Sequence, residues 1–340
     1  MIMIELQHDE LVFQFPEVHA DAACRVDFQR TLRIPDDNRE YPLPPGLGRF
    51  PLAHVEEHCS RLPAGWIERS GVMLPMYQAE ALWISFSSES GSQMGVSYPF
   101  AVKIAAGRIN AVTGDEWSNA LVKDPQDYLV VPDQPWLDGF CVQKGLIRQF
   151  VAMPLGQGYT AEEQISGAAE HGGIQIIVYP MKRERYEEIL ERSTRAFGAD
   201  VCYSVAEPCM SAAMGLAPGG LMRQEIYEDE YGYDAWDMSR SSRCFVHILN
   251  SAQWTIATGK PVPGQQPSAA DYTKAGLPWF EYYDDRLGAL GGAKKLAGLD
   301  SVAAKGVKLG EKPIVENDAV KPQKIVPLGS GAAKVSEGKW

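Results

Sequence analysis

The sequence predicts an α+β protein with a largely antiparallel β core, a helical C-terminal part and an extended C-terminal tail. Three observations carry this expectation. Through residues 1–180, short apolar runs alternate with period two between clusters of Gly, Pro, Asp and Ser. After Pro180 the chain becomes charged with helical spacing, and after Tyr283 no aromatic residue occurs until Trp340. The expected division is one integrated body over residues 1–283, β-rich over 1–180 and helix-rich over 181–283, followed by a Lys/Gly/Ala-rich tail over 284–340.

Taken in order, "MIMIEL" and "LVFQF" flank the polar "QHDE", the pattern of a hairpin, and "CRVDFQRTLRI" alternates up to the stop at Pro35. "PDDNREYPLPPGLGRFPL" is loop, because Pro42, Pro44 and Pro45 lack the amide protons that a ladder requires. "FPLAHVEEHCSRL" has helical spacing and ends at Pro63 and Gly65. "MYQAEALWISF", "YPFAVKIAAG", "DYLVVP", "GLIRQFVAM" and "GGIQIIVYP" read as extended, the first of them also fitting a helix.

In "PLGQGYTAEEQ" only G-x-G is present, without the third glycine of a dinucleotide fingerprint or the Lys of a phosphate loop. Thr160 and Glu163 stand three apart, the spacing of a capping box, so this stretch predicts a strand turning into a helix. Further helices are expected in "KRERYEEILERSTRAFG", with Tyr186, Ile189, Leu190 and Phe197 near one face, in "WDMSRSSRCFVHILNSAQWTIATG" up to Gly259, and from Ser268 to Gly276.

The tail holds too little apolar material to fold alone. Residues 291–340 carry nine Lys against five Asp or Glu, a balance of +4, so residues 1–290 carry −16 of the chain's −12. Opposite charge and the spaced anchors Ile325, Val326, Leu328 and Trp340 predict docking onto a folded surface, of the same chain or of a neighbouring one. An acidic average surface disfavours nucleic acid and anionic membranes as partners. No stretch has the length of a membrane span, the N-terminal residues do not read as a secretory signal, and the six cysteines form no C-x-x-C pair, which together predict a cytoplasmic protein with reduced thiols.

Metal and nucleophile patterns are weak. His54, His58 and Cys59 lack a third ligand at local spacing, the Cys202, Cys209, Met210, Met214 and Met222 set reads as core, and the acidic run from Glu225 to Asp237 lacks EF-hand spacing and reads as a solvated loop. No G-x-S-x-G occurs, and Cys141 with His171 carries no family signature. Neither a metal nor a cofactor is expected.

The most informative residues are charges on apolar faces. Arg30 shares a strand face with Val26, Phe28 and Leu32, Arg148 shares one with Leu146 and Phe150, Lys103 falls on an alanine face, and Glu80 lies among Leu82, Ile84 and Phe86 if that segment is extended. Buried charges need partners. Arg30, Glu80, Lys103 and Arg148 are therefore candidates for an ion-pair network, or for a pocket that binds a carboxylate or phosphate metabolite.

The segments "FQRTLRIPDD", "YPFAVKIAAG", "IRQFVAMPLGQGYTAEEQ" and "APGGLMRQEIY" resemble those of a bacterial family of hypothetical proteins with no assigned activity, over roughly residues 10–285. The resemblance implies one integrated body and supplies no site residues. The expected function is a non-catalytic, self-associating scaffold or binding protein whose tail mediates a homo-oligomer. The alternative is a metal-independent enzyme or small-ligand binder for an anionic metabolite.

Overall fold

The computed structural model describes residues 3–88, 96–193, 213–284, 286–311 and 318–328. Strands β1 (Met3–Gln7) and β2 (Glu10–Gln14) form the expected hairpin, turned by His8 and Asp9 at φ of 50° and 63°. That left-handed pair matches the twist of the flanking strands. Strand β3 (Ala23–Thr31) follows, and the proline-dense loop contributes only the short β4 (Glu40–Tyr41) and β5 (Gly46–Arg49); "FPLAHVEEHCSRL", expected as a helix, instead gives the short β6 (Ala53–His54) and a 3-10 turn over Glu56–Arg61. After α1 (Ala64–Arg69) come β7 (Val72–Met76), β8 (Ala81–Ser88), β9 (Phe100–Ala106) and β10 (Ile109–Asn110). Next are β11 (Leu129–Val131), β12 (Trp136–Leu137), β13 (Gly139–Gln143) and β14 (Leu146–Pro154).

At the end of β14 the chain makes the predicted turn into α2 (Ala161–Ser166). The Thr160 side chain accepts from the Glu163 amide and Glu163 reaches back to the Thr160 amide, so the capping box is complete. Strand β15 (Ile174–Pro180) and helix α3 (Arg183–Ser193) follow, then β16 (Ala213–Arg223), β17 (Ser242–Asn250), α4 (Ser251–Thr258), α5 (Ala269–Lys274) and β18 (Trp279–Tyr282).

Hydrogen-bonded neighbours run β1–β2–β3–β8–β14–β16–β17–β15–β9, nearly all antiparallel, in one continuous sheet. The protein is thus mixed, with a mostly antiparallel β core and some helices. Phe13, Phe28, Ile84, Phe100, Phe150, Ile176 and Val246 are at most 1% exposed and belong to one large apolar cluster. Among the described residues of 181–283, α3, α4 and α5 alternate with the long strands β16 and β17, so this part is mixed and not chiefly helical. "RCFVHILN" was expected in a helix, yet it is strand; it pairs with β15 on one side and β7 on the other, and only at the Asn250 cap does the chain turn helical. "MYQAEALWISF" supplies the strand β8.

The C-terminal region also departs from an extended tail. Helices α6 (Lys294–Ala297) and α7 (Val302–Lys308) pack on β13 and β16, burying Leu296, Leu299 and Val302. Gly292 lies at φ 73°, and a Cβ there would come within 2.4 Å of the Gln143 backbone, so this approach requires glycine. Strand β19 (Ile325–Leu328) then pairs in parallel with β18. The expected anchors Ile325 and Leu328 are 42% and 38% exposed, so there the backbone ladder contributes more than apolar burial. Trp340 lies outside the described residues, as do Phe197, Cys202, Cys209 and Met210.

Candidate functional site

The four predicted charges are each placed against a partner. Arg30 is fully buried on the core face of β3, bonded to the Glu80 carboxylate, with its guanidinium carbon 5.1 Å from the Phe50 ring centre. Glu80 lies in the turn before β8 and also accepts from the Tyr77 amide and from Gln266, at 2.8 and 2.9 Å. Lys103 is paired with Asp127 and donates to the Ala120 carbonyl at 2.7 Å, far along the sheet on β9. Burial raises the Asp127 carboxyl, opposed by the Lys103 bond. Arg148 donates to the Gly219 carbonyl at 3.0 Å and stands 3.6 Å from Asp36; burial lowers its pKa. The structure therefore brings Arg30 and Glu80 together, and gives Lys103 and Arg148 carboxylates of their own.

Other sequence candidates resolve into structural roles. His54 sits in β6 and His58 in a 3-10 turn with non-helical φ and ψ, so they do not share a helix face. No cluster of three or more His, Cys, Asp or Glu is arranged for a metal among the described residues. The acidic run is not simply solvated. Asp229 accepts from the Tyr231 and Gly232 amides, from Tyr128 at 2.6 Å and from Trp236 at 2.9 Å, which fixes the loop to the core. Glu162, buried beside the capping box, accepts from the amides of Glu170, His171 and Gly172, filling that amide nest with the protein's own carboxylate.

A different surface stands out on the opposite face of β3, β8 and β12. Because strand side chains alternate, the register that turns Phe28, Ile84 and Leu137 inward turns Asp27, Gln29, Trp83, Ser85 and Trp136 outward. Trp83 lies opposite Gln29, Arg49 flanks Gln29 on β5, and Ser85 lies between Asp27 and Trp136. Trp83 and Trp136 are half-buried with ring centres 6.1 Å apart at 63°, and Trp136 continues to Tyr282 of β18 at 4.9 Å. Tyr282 is in register with Leu328, so this aromatic strip runs directly into β19.

Three carboxyls border the strip. Burial pushes Asp27 up to about 6, against a lowering by Arg49. Asp138, two residues beyond Trp136, is pushed up to about 7 by complete burial, opposed only by hydrogen bonds from Gln224 and Trp136. Asp133 rises to about 6 through burial, and its charge is felt at Tyr282. Local spacing does not mark these three, because burial is the main cause of each shift and the Gln224 partner of Asp138 stands 86 residues away. A separate cleft of about 610 Å³ is walled by Thr113, Gln126 and Tyr128, by the Asp229 loop, and by the C-terminal residues 290–295. It carries both signs of charge, including the Lys295–Asp115 pair.

Comparison with family models, with curated proteins and with solved structures finds no match to this chain. No helix among the described residues is long and apolar enough to cross a membrane.

Proposed function

We propose that the protein is a non-catalytic, self-associating binding protein whose contact surface is the Trp83–Trp136–Tyr282 strip together with the outer side of β19. The observation that supports this most is the run of large aromatic rings left only partly buried on the outer face of the sheet. Aromatic side chains give large contact area at small entropic cost, and they mark the centres of protein interfaces. The strip continues into the exposed Ile325 and Leu328, with Tyr283 43% exposed beside it.

A second copy of this chain is the occupant this patch suits. Patch and C-terminal strand are contiguous, so a twofold axis through them places each strip against the partner's β19 without an open, growing edge. Pro327 removes one of the four amides of β19, which weakens further strand addition there. Light scattering on the intact chain should give more than the 37.4 kDa of one copy, falling to one copy in Trp83→Ala/Trp136→Ala. A mass that the double substitution leaves unchanged rejects this surface.

A further inference from the structure

A second cavity, of about 240 Å³, opens between the β1–β2 hairpin, β6, the end of α1 and β17. One wall is apolar, from Ile4, Leu6 and Leu11. The other carries Arg69, Arg243 and His54, with Glu56 as the lining carboxylate. That carboxylate is held by the Ser70 hydroxyl, which keeps it ionised below its ordinary range. Neither arginine is ion-paired among the described residues, in contrast to Arg30, Lys103 and Arg148.

The lining ring Phe245 belongs to a buried aromatic stack. His247 lies between Trp66 and Phe245, with both ring-centre distances 4.3 Å and both planes within 25° of parallel. Its Nε2 faces the Ser70 carbonyl at 3.1 Å, and burial pushes its pKa down to about 4, so the ring is neutral and donates there. The Arg69 guanidinium carbon sits 5.7 Å from the Phe245 ring centre, which orients the fork by cation–π attraction. Gly71, at φ 94°, lets the chain pass where a Cβ would strike the Phe245 carbonyl at 2.2 Å. Two guanidinium groups without ion pairs among the described residues, lining a small cavity together with Ile4, Leu6 and Leu11, form an amphipathic anion site.

We propose that this cavity binds a small organic carboxylate with a short hydrocarbon chain, the carboxylate held by Arg69 and Arg243 and the chain laid against Ile4, Leu6 and Leu11. The site is independent of the self-association surface. Titration calorimetry of the intact protein with hexanoate tests it, with inorganic phosphate and hexylamine as the comparison probes. Saturable hexanoate binding is expected, weakened at least tenfold in Arg69→Gln and in Arg243→Gln, whose circular dichroism should match the parent, and unchanged in Trp83→Ala/Trp136→Ala. No saturable hexanoate binding, equal binding of hexylamine, or full binding retained in both arginine variants overturns the proposal. Phosphate binding as tight as hexanoate also overturns it, because the apolar wall would then contribute nothing.

Discussion

At the scale of single residues, the chain separates charges that are paired in place from charges that burial perturbs. Removing Arg30 leaves the Glu80 carboxylate buried against an apolar core, so Arg30→Ala should cost about 3–5 kcal/mol in chemical denaturation. Asp138 makes the opposite prediction. Its folded pKa of about 7 lies above the ordinary carboxyl value near 3.8, so its contribution to stability is fully present below about pH 4 and is lost as pH rises through 7. Asp138→Asn keeps the Gln224 contact and removes the buried charge. It should therefore be more stable than the parent at pH 8.5, by about 2–4 kcal/mol, and indistinguishable near pH 4. An equal difference at both pH values would mean that the carboxyl does not titrate as described. His247 acts in the reverse sense: depressed to about 4, it contributes stability above about 6.5 that is lost as pH falls through 4.

At the scale of elements, what the sequence showed depended on whether the signal was local. The β1–β2 hairpin, β3 and the Thr160–Glu163 capping box were legible because their determinants lie within a few residues. So was the inward direction of Arg30, since β3 is regular through that point. Strand β17 was misread because Asn250 caps α4 with no Gly or Pro between strand and helix, and the joined segment took on helical length. Leu296, Leu299 and Val302 were hidden in low-complexity sequence; their burial comes from β13, β16 and the loops beneath, which composition does not reveal. The tryptophan strip and its carboxyls were missed for the same reason, as cross-strand register brings them together. Thr160→Ala should cost about 1 kcal/mol through the lost cap. Leu296→Ala should cost about 2–5 kcal/mol, and amide exchange should speed up in residues 290–308 before the β14–β16 ladder, because α6 holds that segment to β13. Uniform acceleration throughout the protein would show instead that these helices are inseparable from the core.

At the scale of the whole molecule, the C-terminal segment packs on the body of its own chain. Ala293 donates to the Cys141 carbonyl, Ala303 to Asp36, and Tyr159 to Glu311, at 3.0, 2.8 and 2.7 Å, so residues 290–311 are tied to three separate parts of the body. Docking within the chain sets β19 beside Tyr282 and so builds the patch proposed for assembly. Sedimentation equilibrium of the intact chain over a wide range of protein concentration tests that account most directly. The account predicts a mass that rises towards twice 37.4 kDa and stops there. A mass fixed at one copy at every concentration would contradict it.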